Sequence, residues 1–222
     1  SLPVIGQEAS NGPTQGFGVQ QKFGATDNIR LDPNSAGTTY SSDTTLSYGI
    51  LRDNSGHSLD FYVEGVARFV DDPVVGSDHG LRDPRVDLSY FHEAANSRFS
   101  LIANYFKPDL AFQDPLTTGN PSDQDLYRGG GTREEFYGGV RLELGVNDPL
   151  GFVIDLNSRA NSYSDTTDPL LFSNETHTAA LGAIFRLSSV TQGRIDWSEK
   201  RYRAEDVSST NTDTSRFTFG LD

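Results

Sequence analysis

The chain has 222 residues, no cysteine, no methionine and a formal net charge of −13 at pH 7. The lack of cysteine excludes disulfides, thiol nucleophiles and cysteine-based zinc sites, and the acidic balance argues against binding a nucleic acid through its phosphates. Only 35% of the residues are hydrophobic, whereas 11% are aromatic and 22 are glycine. This mixture disfavours both a helical bundle and a disordered chain.

From residue 16 onward, apolar and polar residues alternate with a period of two, which predicts strands with one apolar face. The alternation is clearest in 57–70, 132–146 and 151–163. On the apolar side lie Leu59, Phe61, Val63, Phe136, Leu142, Leu144, Phe152, Ile154 and Leu156. On the other side lie the charged residues Asp60, Glu64, Arg68, Arg141, Glu143, Asp155 and Arg159. We expect ten strands, at 16–26, 38–51, 57–70, 85–93, 98–107, 132–146, 151–163, 177–188, 194–205 and 215–221.

The connections between these strands predict their arrangement. Short turns follow the even-numbered strands and long polar loops follow the odd-numbered strands, in strict alternation. Tight turns join antiparallel neighbours, so all the tight turns lie at one end of the sheet. The short connections are 52–56, 94–97, 147–150 and 189–193, and the long ones are 27–37, 71–84, 108–131, 164–176 and 206–214.

This sorting of loops is typical of an outer-membrane β-barrel, which has short periplasmic turns and long extracellular loops. We therefore expect an antiparallel up-and-down transmembrane barrel of about ten strands, complete or part of a larger barrel. The nine apolar residues would face lipid and the seven charged residues would line the lumen. The competing interpretation is a secreted β-sandwich or jelly roll, in which the apolar residues form a core.

The start of the chain is consistent with this location. Residues 1–15 lack periodicity and begin at Ser1 without a basic or apolar signal region. A secreted protein looks like this once its signal peptide is removed, and so does a trimmed chain. We expect an N-terminal periplasmic tail at 1–15 and the barrel domain at 16–222.

The segment Phe23-Gly-Ala-Thr-Asp-Asn-Ile-Arg-Leu-Asp-Pro33 resembles the end of the first strand in outer-membrane β-barrel porin families of Proteobacteria. The resemblance is specific over roughly 16–70 and architectural beyond it. It implies an outer-membrane location and a channel or exopolysaccharide-linked role, but no catalytic residues. One departure is the C-terminus, because such barrels end on an aromatic residue whereas this chain ends at Asp222.

Candidate chemical sites in the sequence are weak. Asp60 and Glu64 share a face and could act as an acid pair, but a charged lumen network with Arg141, Glu143, Asp155 and Arg159 is the favoured interpretation. None of the four histidines has metal-ligand spacing to another. His79, with Asp78 and Asp83, is the best candidate for a catalytic site at the barrel rim.

Two loops are rich in carboxylates, which suit Ca²⁺, although no EF-hand spacing occurs. One contains Asp71, Asp72, Asp78 and Asp83, and the other contains Asp109, Asp114, Asp123 and Asp125. The triplet 129–131 is glycine but lacks the following residues of a phosphate loop.

The sequence therefore predicts a porin-like channel with a charged lumen for small solutes or saccharides. It predicts no catalytic residues, metal or cofactor, and no nucleic-acid partner. The expected partners are outer-membrane lipid and lipopolysaccharide, with homo-oligomers or other envelope proteins as further options. The alternative is a non-conducting surface protein whose long loops bind partners. A small outer-membrane enzyme is a third hypothesis.

Overall fold

A computed structural model describes residues 12–27, 37–74, 76–110, 131–166, 171–188 and 190–221. These residues form one sheet of ten antiparallel strands, each paired only with its neighbours in the chain. The expected all-β, up-and-down order is thereby confirmed. The strands are β1 Thr14–Thr26, β2 Thr39–Asn54, β3 His57–Asp72, β4 Gly76–Ala94, β5 Ser97–Phe106, β6 Thr132–Leu144, β7 Leu150–Ser164, β8 Asn174–Arg186, β9 Gln192–Ala204 and β10 Asn211–Leu221.

Strand β4 is the element that the sequence predicts worst. It begins at Gly76 rather than at residue 85, so the connection after β3 is a short turn and the predicted alternation of loop lengths is wrong there. The cause is a bulge opposite Gly65, where the register slips between Glu64 and Val66. The extra residue lets Asp83 adopt a left-handed φ of 50° and accommodates Pro84, which cannot donate to a sheet ladder.

The register divides the sheet into an apolar face and a polar face. The row Phe99–Leu142–Ile154–Leu181–Trp197 crosses five strands on the apolar face. The polar face is the more enclosed, since Arg68 and Arg133 are buried there, whereas apolar side chains such as Phe23 (77% exposed) face outward. This difference indicates a curved sheet with the polar face on its concave side.

The sheet is a single layer without a conventional core. Among the described residues, the buried apolar side chains are Val66, Val70, Pro108, Leu110, Val153 and Ala204. The chain exposes 14945 Å², whereas a compact protein of 24.3 kDa would expose about 10,000 Å². Apolar side chains that no second layer covers, such as Phe23 and Phe217, contribute to this excess.

The predicted closed cylinder is not formed. Strand β1 pairs only with β2, and β10 pairs only with β9, so both outer strands keep a free edge within the described ranges. The curvature of these ten strands does not bring the two edges together. The correct description is an open, curved ten-stranded sheet.

The strands are staggered along the sheet, as they are in a barrel wall, but by a smaller amount. A row of paired residues starts at Phe17, near the beginning of β1, and ends at Asn211, the first residue of β10. Since β1 begins and β10 ends at the tight-turn end of the sheet, the row climbs by seven residues over the nine steps between strands. With about 3.3 Å per residue and about 4.8 Å between strands, this corresponds to a tilt of about 28°, below the range of about 35–45° in closed barrels. Between its ends, the row passes through Tyr48, Val63, Val86, Tyr105, Phe136, Ala160, Glu175 and Arg203.

Candidate functional site on the polar face

The polar face carries most of the cations of the chain. By register, twelve of the 18 Lys and Arg residues lie on it. On the opposite face, the described basic residues are Arg52, Arg201 and Arg203, all close to strand ends. The twelve are Lys22, Arg68, Arg82, Arg85, Arg98, Arg133, Arg141, Arg159, Arg186, Arg194, Lys200 and Arg216.

Every residue that the sequence suggests for a lumen lies on this face. Asp60, Glu64 and Arg68 share one side of β3, and that side is continuous across the sheet with one side of β6 and β7. Arg141 and Glu143 lie there on β6, and Asp155 and Arg159 lie there on β7. The structure thus groups the seven residues on one face, whatever that face contacts.

The most enclosed group is the Arg68 cluster, which consists of Arg68, Asp43, Asp83 and Asp109. The Arg68 side chain is 6% exposed, and its Nε donates to Asp43 Oδ1 at 2.9 Å. Its Nη2 donates to Asp43 Oδ2 at 3.1 Å and to Asp83 Oδ2 at 2.8 Å. Nη1 lies 4.0 Å from Asp109 Oδ2. Three carboxylates compensate the charge of a guanidinium that has lost most of its water.

Local backbone geometry brings these carboxylates together. Asp43 lies directly across from Arg68 in the β2–β3 register. Asp83 occupies the left-handed position of the β4 bulge, and its Oδ1 accepts a hydrogen bond from the Asp109 backbone N at 2.6 Å. The bulge therefore directs one carboxylate to Arg68 and also anchors the segment that supplies another.

That segment, residues 107–110, continues β5 in register between β4 and β6, where Asp109 bridges to Thr132. Pro108 is fully buried and Leu110 is 6% exposed. Lys107 N donates to Pro84 O at 3.0 Å, and Leu110 N donates to Gly131 O at 3.0 Å. The inward segment, as we call 107–110 for its buried side chains, therefore extends the sheet at the end opposite the tight turns.

A second ionic group lies farther along the sheet. Arg141 Nε donates to Glu143 Oε1 at 2.8 Å, and its Nη1 lies 3.3 Å from Asp155 Oδ2. Arg98 Nη1 lies 3.8 Å from Glu143 Oε2, so the group extends across β5, β6 and β7. We call these four residues the Arg141 cluster.

The ion pairs described on the polar face form separate groups. Arg68 and Arg141 belong to separate clusters because β4 and β5 lie between their strands. Glu64 accepts a hydrogen bond from the Tyr62 hydroxyl. Neither Asp60 nor Arg159 has an ion-pair partner among the described residues, so these two charges remain available to solvent or solutes.

The opposite face carries all nine residues that the sequence assigns to lipid. They lie at alternate positions of β3, β6 and β7, and Phe61, Val63, Leu142 and Ile154 are not in a dry centre but on the uncovered side of the sheet. Phe152 and Leu156 are each 48% exposed. The nine are Leu59, Phe61, Val63, Phe136, Leu142, Leu144, Phe152, Ile154 and Leu156.

The histidine predictions need two corrections. His79 is paired with Phe69 on the apolar face, whereas Asp83 reaches Arg68 on the polar face, so the proposed rim site is divided by the sheet. His57 and His92, which the sequence treats as separate, stack with ring centroids 4.3 Å apart. The β3–β4 register causes this contact by placing them directly opposite each other.

The acidic loops are also different from those expected. Asp71 and Asp72 belong to β3, and Asp78 and Asp83 belong to β4, because the bulge extends β4 into the predicted loop. Of the second group, only Asp109 is described; Asp114, Asp123 and Asp125 lie outside the described residues, as do Gly129 and Gly130. In the part of the chain that the structure covers, no group of three or more acidic or histidine side chains could hold a metal ion.

No protein-family model and no curated protein sequence matches the chain. Among the residues with described positions, no helix is long and apolar enough to cross a membrane.

Sequence reasoning did not predict the contacts that depend on the register between strands. Asp43, Asp83 and Asp109 are distant from Arg68 in the chain, and only the strand pairing and the bulge bring them to it. Asp83 beside Pro84 is a signal for irregular backbone, but it suggests a loop rather than a bulge within a strand.

Proposed function

We propose that this chain forms the wall of an outer-membrane β-barrel of the porin type. Its apolar face contacts lipid, and its polar face borders a water-filled passage for small solutes or saccharides. The proposed mechanism is passive. The wall separates the two environments, and the charged side chains on the polar face select the solutes that pass.

The observation that carries this proposal is the uncovered apolar face. All ten strands belong to one sheet, so none is left to form the second layer of a sandwich. A soluble antiparallel sheet buries its apolar face and exposes its polar face, whereas this sheet encloses Arg68 and Arg133 and exposes Phe69 and Phe152. Lipid is the environment that would stabilise such an arrangement.

The distribution of charge on the apolar face also supports the proposal. Among the described residues, the charged side chains on this face are Asp71, Glu134, Glu175, Asp213, Arg52 and Arg203 near strand ends, and the ion pair Glu199–Arg201 farther inside β9. On the strands other than β9, a charge-free band lies between the strand ends, and on β6 it runs from Phe136 to Leu144. That stretch is about 27 Å long at about 3.4 Å per residue. Tilted by about 35–45°, it covers roughly 20 Å, close to the band of about 25 Å on such barrels.

Membrane insertion is tested by extraction and by electrophoresis. We expect the folded chain to leave membranes only with detergent and to migrate on a gel differently before and after boiling. Both results follow from a hydrogen-bonded wall that lipid or detergent covers. Folded protein that stays dissolved in plain buffer would contradict the proposal.

The inward segment favours a second candidate, a non-conducting anchor that displays its loops. Pro108 and Leu110 occupy part of the polar face, and a narrow barrel is readily filled by side chains. Single-channel recording in planar bilayers separates the two functions. Discrete current steps from heat-modifiable protein support a channel, and a silent bilayer supports the anchor.

A charge variant tests the role of the polar face in conduction. Asp60 has no ion-pair partner among the described residues, so we expect Asp60→Lys to shift the ion selectivity towards anions. The matched change Ser42→Lys on the opposite face of β2 should leave the selectivity unchanged. Equal selectivity in all three proteins would show that Asp60 does not border the passage.

A further inference from the structure

A hydroxyl, an imidazole and a carboxylate lie close together at one end of the charge-free band. Ser158 on β7 and His177 on β8 are directly opposite in the register, with Ser158 Oγ 3.0 Å from His177 Nδ1. The other ring nitrogen, Nε2, lies 3.6 Å from Glu175 Oε2. This is the order of groups in a nucleophile–base–carboxylate triad, which is recognised by geometry rather than by chain order.

An apolar groove begins at these groups. Ala103, Gly138 and Ser158 are consecutive members of one row across β5, β6 and β7, and their small side chains leave a depression of about 550 Å³ in the apolar face. Phe136 and Leu156 form its walls, and Ser158 and His177 both line it. The groove therefore offers space for a hydrocarbon chain with its polar end at the triad.

A positively charged side chain lies beside the proposed reaction centre. Arg201 is opposite His177 in the β8–β9 register and lines the same groove. Its guanidinium is oriented by Glu199, whose Oε1 lies 2.7 Å from Nη2. A guanidinium at this position could stabilise the negative oxygen that develops during acyl transfer.

We propose that Ser158, His177 and Glu175 hydrolyse the acyl ester of a membrane lipid whose acyl chain lies in this groove. The proposal goes beyond a channel function, and its lipid substrate rests on the proposed membrane location. Ester lipids are the substrate class that combines a hydrocarbon chain with an electrophilic carbon at the boundary of the apolar band.

The chemistry proceeds in two balanced steps. Ser158 Oγ attacks the ester carbonyl carbon while its proton passes to His177 Nδ1, and the protonated imidazole then donates that proton to the departing alcohol as its C–O bond breaks. Water next attacks the acyl-serine, His177 accepts a proton from it, and this proton returns to Ser158 as the fatty acid leaves. Glu175 acts as a positioning residue that orients the ring and stabilises the imidazolium.

The test uses the full chain folded in detergent micelles. A fluorophosphonate probe measures nucleophile labelling, and a p-nitrophenyl ester of a medium-length fatty acid measures hydrolysis. We expect labelling of Ser158, complete loss of both signals in Ser158→Ala, and a fall of about 10²–10⁴-fold in hydrolysis for His177→Asn. The control Ser162→Ala changes a serine on the same face of β7, outside the groove, and should retain full activity.

The role of Glu175 has its own readout. A carboxylate that orients the imidazole and stabilises its protonated form acts in the transition state, so Glu175→Gln should lower kcat and leave KM unchanged. Glu175→Asp should restore part of the rate. A glutamate that takes no part in orienting the ring would leave kcat at the wild-type value.

The outcomes separate this inference from the proposed function. Heat-modifiable wild-type protein that is neither labelled nor hydrolytic, or labelling that survives Ser158→Ala, overturns the triad and leaves the barrel intact. Labelling of protein that is soluble without detergent supports the triad, but overturns the barrel and the lipid substrate with it.

Discussion

Arg68 is held by carboxylates from three separate parts of the chain: a paired strand, a bulge and the inward segment. Burying a guanidinium costs several kcal/mol unless each donor finds an acceptor. Asp43 and Asp83 both accept hydrogen bonds from it, and Asp109 approaches from the other side. The cluster therefore ties the inward segment to the sheet through charge as well as through hydrogen bonds.

Substitution of Arg68 should be costly. Arg68→Ala leaves carboxylates without their cation, and we expect a loss of about 3–5 kcal/mol in the free energy of unfolding. Urea titration of the protein in lipid vesicles measures it. The matched control is Arg85→Ala, which removes an Arg–Asp pair on the same face that is 51% exposed on the arginine side and should cost about 0–1 kcal/mol. Equal losses for the two variants would show that the burial of Arg68 has no energetic effect.

Asp206, in the loop between β9 and β10, gives a pH-dependent prediction. Hydrogen bonds from the Thr210 hydroxyl and backbone amide, and from the Ser208 amide, hold the pKa of Asp206 below its ordinary value. A lowered folded-state pKa means that the stabilisation is complete above the unfolded pKa of about 3.9 and is lost as the pH falls through the folded value.

We therefore expect the amide of Thr210 to lose protection from hydrogen exchange below about pH 4. In Asp206→Asn, this acid-induced loss should disappear because the amide side chain does not titrate in that range. Exchange rates corrected for their intrinsic pH dependence provide the measurement. A wild-type profile that matches the Asn variant would contradict the assigned hydrogen bonds.

At the scale of the strand, sequence pattern predicts most of the fold. β6 and β7 lie within a few residues of their predicted bounds because bulky apolar side chains alternate with charged ones throughout. β4 could not be predicted in this way, because His79 and Leu81 are apolar-face residues but Asp78, Asp83 and Pro84 resemble a loop. The bulge resolves the conflict, and it depends on pairing with β3.

The site shows the same limit. Arg141 and Asp155 could be assigned to one face of the sheet from the sequence, because alternate residues of a strand point to opposite faces. Contacts such as Asp83 with Arg68, or Ser158 with His177, depend on which residues lie opposite each other across strands. Register is a long-range property that alternation within one strand does not encode.

The inward segment provides a prediction at the same scale. Leu110 is 6% exposed, so Leu110→Ala should cost about 2–4 kcal/mol through lost contacts and the cavity left behind. Leu187→Ala changes the same residue type at a position that is 68% exposed and should cost less than about 0.5 kcal/mol. The shift of each variant's urea midpoint from that of the wild type measures its loss of stability. Similar midpoints would indicate that the segment does not pack against the sheet in the folded protein.

At the scale of the whole molecule, the two faces should respond oppositely to an added charge. Leu142→Lys places an ammonium in the charge-free band, and we expect a loss of about 2–4 kcal/mol in lipid. Asn157→Lys places the same group on the polar face of the adjacent strand and should be tolerated. Unfolding in vesicles measures the contrast, and the reverse order of stability would invert the assignment of the faces.

The free edges of β1 and β10 lead to a further expectation. Unpaired backbone groups are very unfavourable in hydrocarbon, so both edges should acquire partners in a membrane, within the chain or from another copy. We expect every amide of 14–26 to resist hydrogen exchange in lipid, as the amides of the central strands do. Rapid exchange at alternate positions of β1 would show that its outer edge stays open.

The absence of a second layer has a consequence for biogenesis. A sheet that buries so few apolar side chains against itself gains little by folding in water, since most of the stabilisation depends on what covers its convex side. The sheet should therefore form at the same time as it inserts into the bilayer. The polypeptide should remain unfolded until then. The unfolded chain presents many Phe and Tyr side chains to water and is prone to aggregate. Under the proposed function, it therefore requires a chaperone until it reaches the bilayer.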